Sequence, residues 1–184
     1  MSAYEIYIAY ATIVRKEIQR FMRIWVQTLL PPSIIMVLYF IIFGNLIGTR
    51  IGQMGGFDYM QFIVPGLIMM SVITNSYGNV VSSFYSTKYQ GSLEEMLVSP
   101  MPNWVILAGY ITGGVARGLA VGTIVTSLSL FFTQLEIYNL GIIILVVLMT
   151  SILFSLGGFI NAVFANSFDD ISIVPTFILT PLTY

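Results

Sequence analysis

Long uncharged runs separated by short charged stretches dominate this chain, and their lengths set its architecture. Ile24 to Thr49, Tyr59 to Thr87 and Ile137 to Phe168 contain no Asp, Glu, Lys or Arg. A helix rises 1.5 Å per residue, so about 20 apolar residues cross roughly 30 Å of hydrocarbon. Each of the three runs is long enough. A fourth, Asn103 to Thr133, is broken once by Arg117, and a fifth starts near Ile171 and runs to Tyr184. The stretch 171–184 falls short of a crossing, so the sequence reads as a fragment in which a fifth span is begun. Segments such as LGIIILVVLMTSILFSLGGFI are apolar on every face, unlike the alternating segments of about ten residues in a membrane β-barrel. The pattern predicts one all-α membrane domain over 1–184. Spans are expected at 25–46, 60–83, 103–133 and 139–165, the start of a fifth at 171–184, and a cytoplasmic loop at 86–100.

Ahead of the first span the period changes. Tyr10, Ile13, Val14, Ile18, Phe21, Met22 and Trp25 recur at three- and four-residue spacing, with Arg15, Lys16, Gln19, Arg20 and Arg23 between them. That spacing predicts an amphipathic interfacial helix over 4–24. It serves either as a topology signal with an aromatic anchor or as a dock for a cytoplasmic partner, and the two roles are compatible. The segment is not a cleavable leader, because Met1 to Ala11 lack a basic region and the basic residues instead precede a full-length span.

Composition agrees with the pattern: 8% of the 184 residues are charged and 57% are hydrophobic, against roughly a quarter charged in soluble domains. Basic residues favour the cytoplasmic side of span ends. Arg15, Lys16, Arg20, Arg23 and Lys88 fall on one side and Arg50 on the other. The N-terminus and the 86–100 loop are therefore placed in the cytoplasm, and the loops at 44–58 and 134–139 outside. A net charge of −1 offers nothing to a nucleic acid.

The second span carries a stripe of Ser71, Thr74, Asn75, Gly78, Asn79 and Ser82 at helical spacing. Amides in hydrocarbon need partners, so this stripe either packs on other helices or lines a hydrated path. In the third span Gly109 with Gly113, and Gly114 with Gly118 and Gly122, give small-xxx-small spacing that lets a neighbouring backbone come close. Arg117 lies among these glycines, 14 residues beyond Asn103. A guanidinium at that depth requires a carboxylate, carbonyls or water.

Several chemistries are excluded or unsupported. There is no Cys and no His, which removes disulfides, thiolate ligands and the commonest metal ligand and general base. A phosphate-binding loop needs Lys followed by Ser or Thr after a glycine-rich turn. The two lysines, Lys16 and Lys88, are followed by Glu17 and Tyr89. Glu94 with Glu95 and Asp169 with Asp170 are sequence neighbours at membrane edges, where solvated charge is the ordinary reading. No catalytic residues, metal ligands or cofactor are expected on this chain.

The loop between the second and third spans reads KYQGSLEEMLVSPMP, Lys88 to Pro102. Ser92 is expected to cap a short helix with Glu95 in capping-box position, and Leu93, Met96 and Leu97 to form a small apolar face ended by Pro100 and Pro102. Such a helix, rigid and anchored at both ends by spans, can pass force between a soluble partner and the membrane. This stretch resembles the first cytoplasmic loop of the permease subunits of type-2 ATP-binding-cassette exporters: a basic residue, Gly-Ser/Thr-Leu-Glu, two aliphatic positions and Ser/Thr-Pro. The likeness runs colinearly through the N-terminal helix, the second span with Pro65-Gly66, and DDISIVPTFILTPLTY as the start of a fifth span.

The resemblance implies a six-span permease acting as a homodimer or a pair of half-permeases in a bacterial inner membrane, with lipid around it. It implies separate cytoplasmic ATPase subunits that bind ATP and Mg. Lys88, Gly91, Ser92, Leu93, Glu94, Glu95, Met96, Leu97, Ser99 and Pro100 would form the ATPase-coupling helix and its flanks. Arg15, Lys16 and Arg20 would make a second ATPase contact, and Ser71, Thr74, Asn75, Asn79, Thr176 and Thr180 are candidates for the pathway. The competing reading is a secondary transporter or channel subunit, which would be expected to carry acidic groups or His near the midplane.

Overall fold

The computed structural model describes residues 2–48, 50, 52–54, 56–135 and 138–183. Expectations that touch Met1, Thr49, Ile51, Gly55, Glu136, Ile137 and Tyr184, at the chain ends and in the loops at 44–58 and 134–139, lie outside the described residues there.

Helix α1 spans Ala3–Arg23 and is started by a capping box: the Glu5 N–H donates to Ser2 Oγ at 3.3 Å and the Ser2 N–H to Glu5 Oε2 at 2.7 Å. Short α2 (Trp25–Thr28) and α3 (Leu30–Ile41) follow, the latter with Pro31 and Pro32 in its first turn, where no N–H is needed. A π-helical segment, Ile42–Gly48, extends α3. A two-residue antiparallel ladder pairs β1 (Gln53–Met54) with β2 (Phe57–Asp58). Then come α4 (Tyr59–Tyr89), α5 (Ser92–Val98), α6 (Asn103–Ser129) and α7 (Leu140–Phe164). The chain closes with α8 (Phe168–Val174), a π-helical segment Pro175–Leu179, and α9 (Thr180–Thr183). At the start of α8 the backbone N–H of Asn166, together with Ser167, holds the Asp170 carboxyl below the usual carboxylate range.

Among the described residues, four helical stretches are long and apolar enough to cross a membrane: Trp25–Gly44, Tyr59–Tyr89, Asn103–Ser129 and Leu140–Phe164. The chain is an all-α helical bundle with several such helices. The third crossing ends four residues earlier than the expected 133, because after Ser129 the chain passes into a turn.

Helix α4 is the centre of the bundle, packed between α6 and α7. The glycines of α6 divide between two neighbours. A Cβ on Gly109 or Gly113 would meet Ile13 at 2.5 Å and Glu17 Cβ at 2.6 Å, so this pair receives α1. A Cβ on Gly114 or Gly122 would meet Val80 at 2.5 Å and Val72 at 2.8 Å, so the second set receives α4. Since Ile13 to Glu17 and Gly109 to Gly113 each advance by one turn in the same direction, α1 runs lengthwise and parallel against the first half of α6. Its buried face is Ile13, Glu17 and Phe21, while Ile18, Met22 and Trp25 from the expected apolar face are exposed. Gly158 of α7 lies against the Tyr77 carbonyl, which a Cβ would meet at 2.6 Å. Around these contacts one apolar cluster gathers Tyr77, Phe84, Val105 and Tyr110 with Ile13, and a second gathers Phe40, Val64, Val121 and Val125.

Candidate functional site

Helix α5 hangs between α4 and α6 with no buried residue. Its start corrects the sequence expectation. Ser92 does not cap it; the cap is Gly91, at φ +76°, with no side-chain hydrogen bond. The left-handed backbone that turns the chain out of α4 puts Ser92 inside the first turn, beyond capping reach, and only glycine adopts that backbone without strain. The expected apolar face is divided too. Leu93 and Met96 are half-buried against the core cluster, whereas Leu97 and Val98 are exposed, Val98 at 87%. Glu94 and Glu95 are exposed in the first turn, where carboxylates suit the helix dipole. Ser99 ends the helix by donating to the Met96 carbonyl at 2.6 Å, and Pro100 is exposed beyond it.

Lys88 is committed elsewhere. Its Nζ donates to the carbonyls of Val163 and Ala165, at 2.8 and 2.7 Å, and so caps the C-terminal end of α7. Of the three cations assigned to a second contact, Arg15 and Lys16 are exposed and Arg20 is half-buried, and the Lys16 ammonium and the Arg20 guanidinium turn toward the bundle. Lys16 Nζ donates to Tyr110 Oη at 3.4 Å and Thr87 Oγ1 at 3.5 Å, and lies 5.5 Å from the centre of the Tyr110 ring. Arg20 Nη2 donates to the Asn79 side-chain oxygen at 2.7 Å and its carbonyl at 3.1 Å.

Glu17 is the residue that sequence reading overlooked. It is fully buried where α1 meets α4 and α6, accepting from Ser83 Oγ at 2.7 Å and from Arg20 Nη2 at 3.3 Å. The available signal was its place four residues after Ile13 and before Phe21, on the apolar face and opposite Gly113.

The polar stripe separates in the same way. Ser71, Asn75 and Asn79 are buried, and the Asn75 side-chain oxygen accepts from Arg117 Nη2 at 3.2 Å. Arg117 Nη2 also donates to the Thr28 carbonyl at 3.4 Å, so the guanidinium meets neutral oxygens, level with the start of the first span. Thr74 and Ser82 are half-buried and donate to their own helix. Gly78, one turn from Thr74 and from Ser82, has nothing within 4 Å of a Cβ position, so this flank of α4 is open. Thr176 and Thr180 are exposed while Leu179 between them packs inward.

A bundle of membrane-length helices with a short, exposed helix between two of them is the build of a polytopic membrane protein. A family model described as "ABC-2 type transporter" matches residues 8–184, and the chain belongs to that family. It is 64% identical over 178 residues to the inner membrane transport permease YadH of Escherichia coli K12, covering 97% of this chain and 70% of the relative. A more distant likeness, 21% over 147 residues, is to nodulation protein J of Neorhizobium galegae, covering 79% of this chain and 56% of the relative. No solved structure matches.

Proposed function

We propose that the chain is the membrane permease subunit of an ATP-driven exporter in a bacterial inner membrane, forming the pathway while separate cytoplasmic ATPase subunits supply the energy. The observation that carries this is α5: a short helix with no buried residue, fastened at both ends to long helices, with Leu97, Val98 and two carboxylates turned outward. Leu93 and Met96 seat it on the bundle, so a push on the outer face passes into α4 and α6. The family and the YadH name support the transport role. The ATPase binds ATP and Mg; this chain contributes Leu97, Val98, Glu94 and Glu95 as the contact, with Arg15 as the outward cation of α1.

The open flank of α4, with Thr74, Gly78 and Ser82, is where a second permease copy or half-permease would complete the route, together with the helix that begins at Phe168 as a fifth span of six. The N-terminus and α5 lie in the cytoplasm. The test is co-purification of the full-length protein with an ATPase subunit and measurement of hydrolysis. Wild type should retain the ATPase, and Leu97→Ser with Val98→Ser should release it. An undiminished complex in that double variant would reject the docking role of α5.

A further inference from the structure

Lys88 holds two parts of the bundle at once. Its backbone carbonyl accepts the Gly91 N–H at 3.1 Å, in the left-handed turn that leads into α5. Its side chain reaches the other way, and Nζ donates to the Val163 and Ala165 carbonyls at 2.8 and 2.7 Å. Both carbonyls belong to the end of α7, where the last turn runs out of N–H groups from its own helix. Hydrogen bonds from an ammonium are the strong kind, and two from one nitrogen also fix its direction.

Rings add to this grip. Phe168, the first residue of α8, packs edge to face on Tyr85 and Tyr89 in the last two turns of α4, with ring centres 4.9 and 5.1 Å apart. The turn from α7 into α8 is itself braced. The Asp170 carboxylate accepts from the N–H groups of Asn166 and Ser167 at 2.8 and 3.0 Å, and Asn161 Nδ2 of α7 donates to the Ile171 carbonyl of α8 at 3.3 Å. A displacement of Ala165 is therefore carried into α8.

We propose that Lys88 is a positioning residue and not part of the ATPase contact: it passes movement of α5 to the α7–α8 junction, and through the braced turn into α8, where the stretch expected as a fifth span begins. The inference rests on the transport reading above and deepens it. It gives α5 an output into α7 and α8 besides the one into α4 and α6, and the Lys88 charge acts through carbonyls of its own chain.

The experiment is hydrogen–deuterium exchange on the full-length permease co-purified with its ATPase subunit, with and without ATP and Mg. In wild type the nucleotide should change exchange in both Ser92–Val98 and Phe168–Val174. Lys88→Met should retain the ATPase and keep the change in α5 but lose it in α8, and Lys88→Arg, which still donates, should restore it. A merely structural role would speed α8 exchange by about tenfold with or without nucleotide, the scale of one charge-assisted hydrogen bond, yet leave the nucleotide-dependent change in place. Phe168→Ala keeps Lys88 and removes only the ring contacts, so it should reduce the α8 change without abolishing it; it serves as the second variant if Lys88→Met does not fold. An equal nucleotide-dependent change in α8 for wild type, Lys88→Met and Phe168→Ala would overturn the inference. Release of the ATPase by Lys88→Met would make Lys88 a direct contact and overturn it as well. Both of those outcomes leave docking by Leu97 and Val98 standing, whereas a wild type that retains no ATPase would reject the permease reading itself and this inference with it.

Discussion

Ser83 of α4 donates to the Glu17 carboxylate of α1 at 2.7 Å, in a position where Glu17 has no exposure. This bond, with Arg20 on the other carboxylate oxygen, fastens the N-terminal helix to the centre of the bundle. Replacing Glu17 by Ala should leave Ser83 and Arg20 without their shared acceptor. Because Arg20 is 30% exposed, water screens part of that loss. The expected cost is about 1–3 kcal/mol, read as a lower thermal midpoint in detergent, with Glu17→Gln recovering most of it. Equal midpoints for wild type and Glu17→Ala would show that apolar packing alone holds α1.

Two adjacent glycines of α7 should respond oppositely to the same change. A Cβ at Gly158 meets the Tyr77 carbonyl at 2.6 Å, and a backbone atom cannot swing aside. A Cβ at Gly157 meets only the Tyr77 ring, at 3.8 Å, which is ordinary contact. Gly158→Ala should therefore separate α4 from α7 at a cost of about 1–3 kcal/mol. Gly157→Ala should be neutral or slightly stabilising, by up to about 1 kcal/mol from helix propensity. Thermal unfolding of both variants is the check, and a more stable Gly158→Ala would refute the close approach.

Much of the fold was legible because its determinants are local. Uncharged run lengths marked the four long helices, and the glycine spacing of α6 marked where other backbones come close. The partners of charged side chains were not legible, since they depend on which helix faces which. Lys88 capping α7, Arg20 reaching Asn79 and Arg117 reaching Thr28 join residues 59 to 89 positions apart. Glu17 was missed although its spacing from Ile13 and Phe21 puts it on the apolar face, because the Ser83 and Arg20 groups that receive its carboxylate come together only when α1 packs on α4 and α6. The start of α5 was misplaced by one residue because a capping-box pattern and a left-handed glycine competed at adjacent positions, and the tight turn out of α4 favoured the glycine.

Topology provides a third prediction, motivated by the distribution of basic residues. In the full-length protein, single cysteines replacing Val98 and Tyr138 both stand at highly exposed positions, so accessibility to a reagent reports the side of the membrane alone. With an impermeant thiol reagent on intact cells, Val98→Cys should be protected and Tyr138→Cys should react. The reverse pattern would invert the orientation and remove α5 from the reach of any cytoplasmic ATPase.

The last prediction separates the two faces of α5. Leu93 and Met96 pack on the bundle, so changing either to Ser should lower thermal stability by about 1–2 kcal/mol, since each is only partly buried. Leu97 and Val98 are exposed, and their replacement by Ser should change the thermal midpoint much less than the Leu93 and Met96 variants do while reducing ATPase retention. Burying two aliphatic side chains at a partner is worth roughly 1.5–3 kcal/mol each at full burial, enough to lower affinity by at least tenfold. Glu94→Lys and Glu95→Lys should differ from each other, because neighbouring helical positions point about 100° apart and only one faces the partner directly. The measurement is paired: thermal midpoint of the permease alone, and retention of the ATPase by the same preparations. If Leu93 and Leu97 variants behave alike in both, α5 has no inner and outer face in function, and force cannot be passing from one to the other.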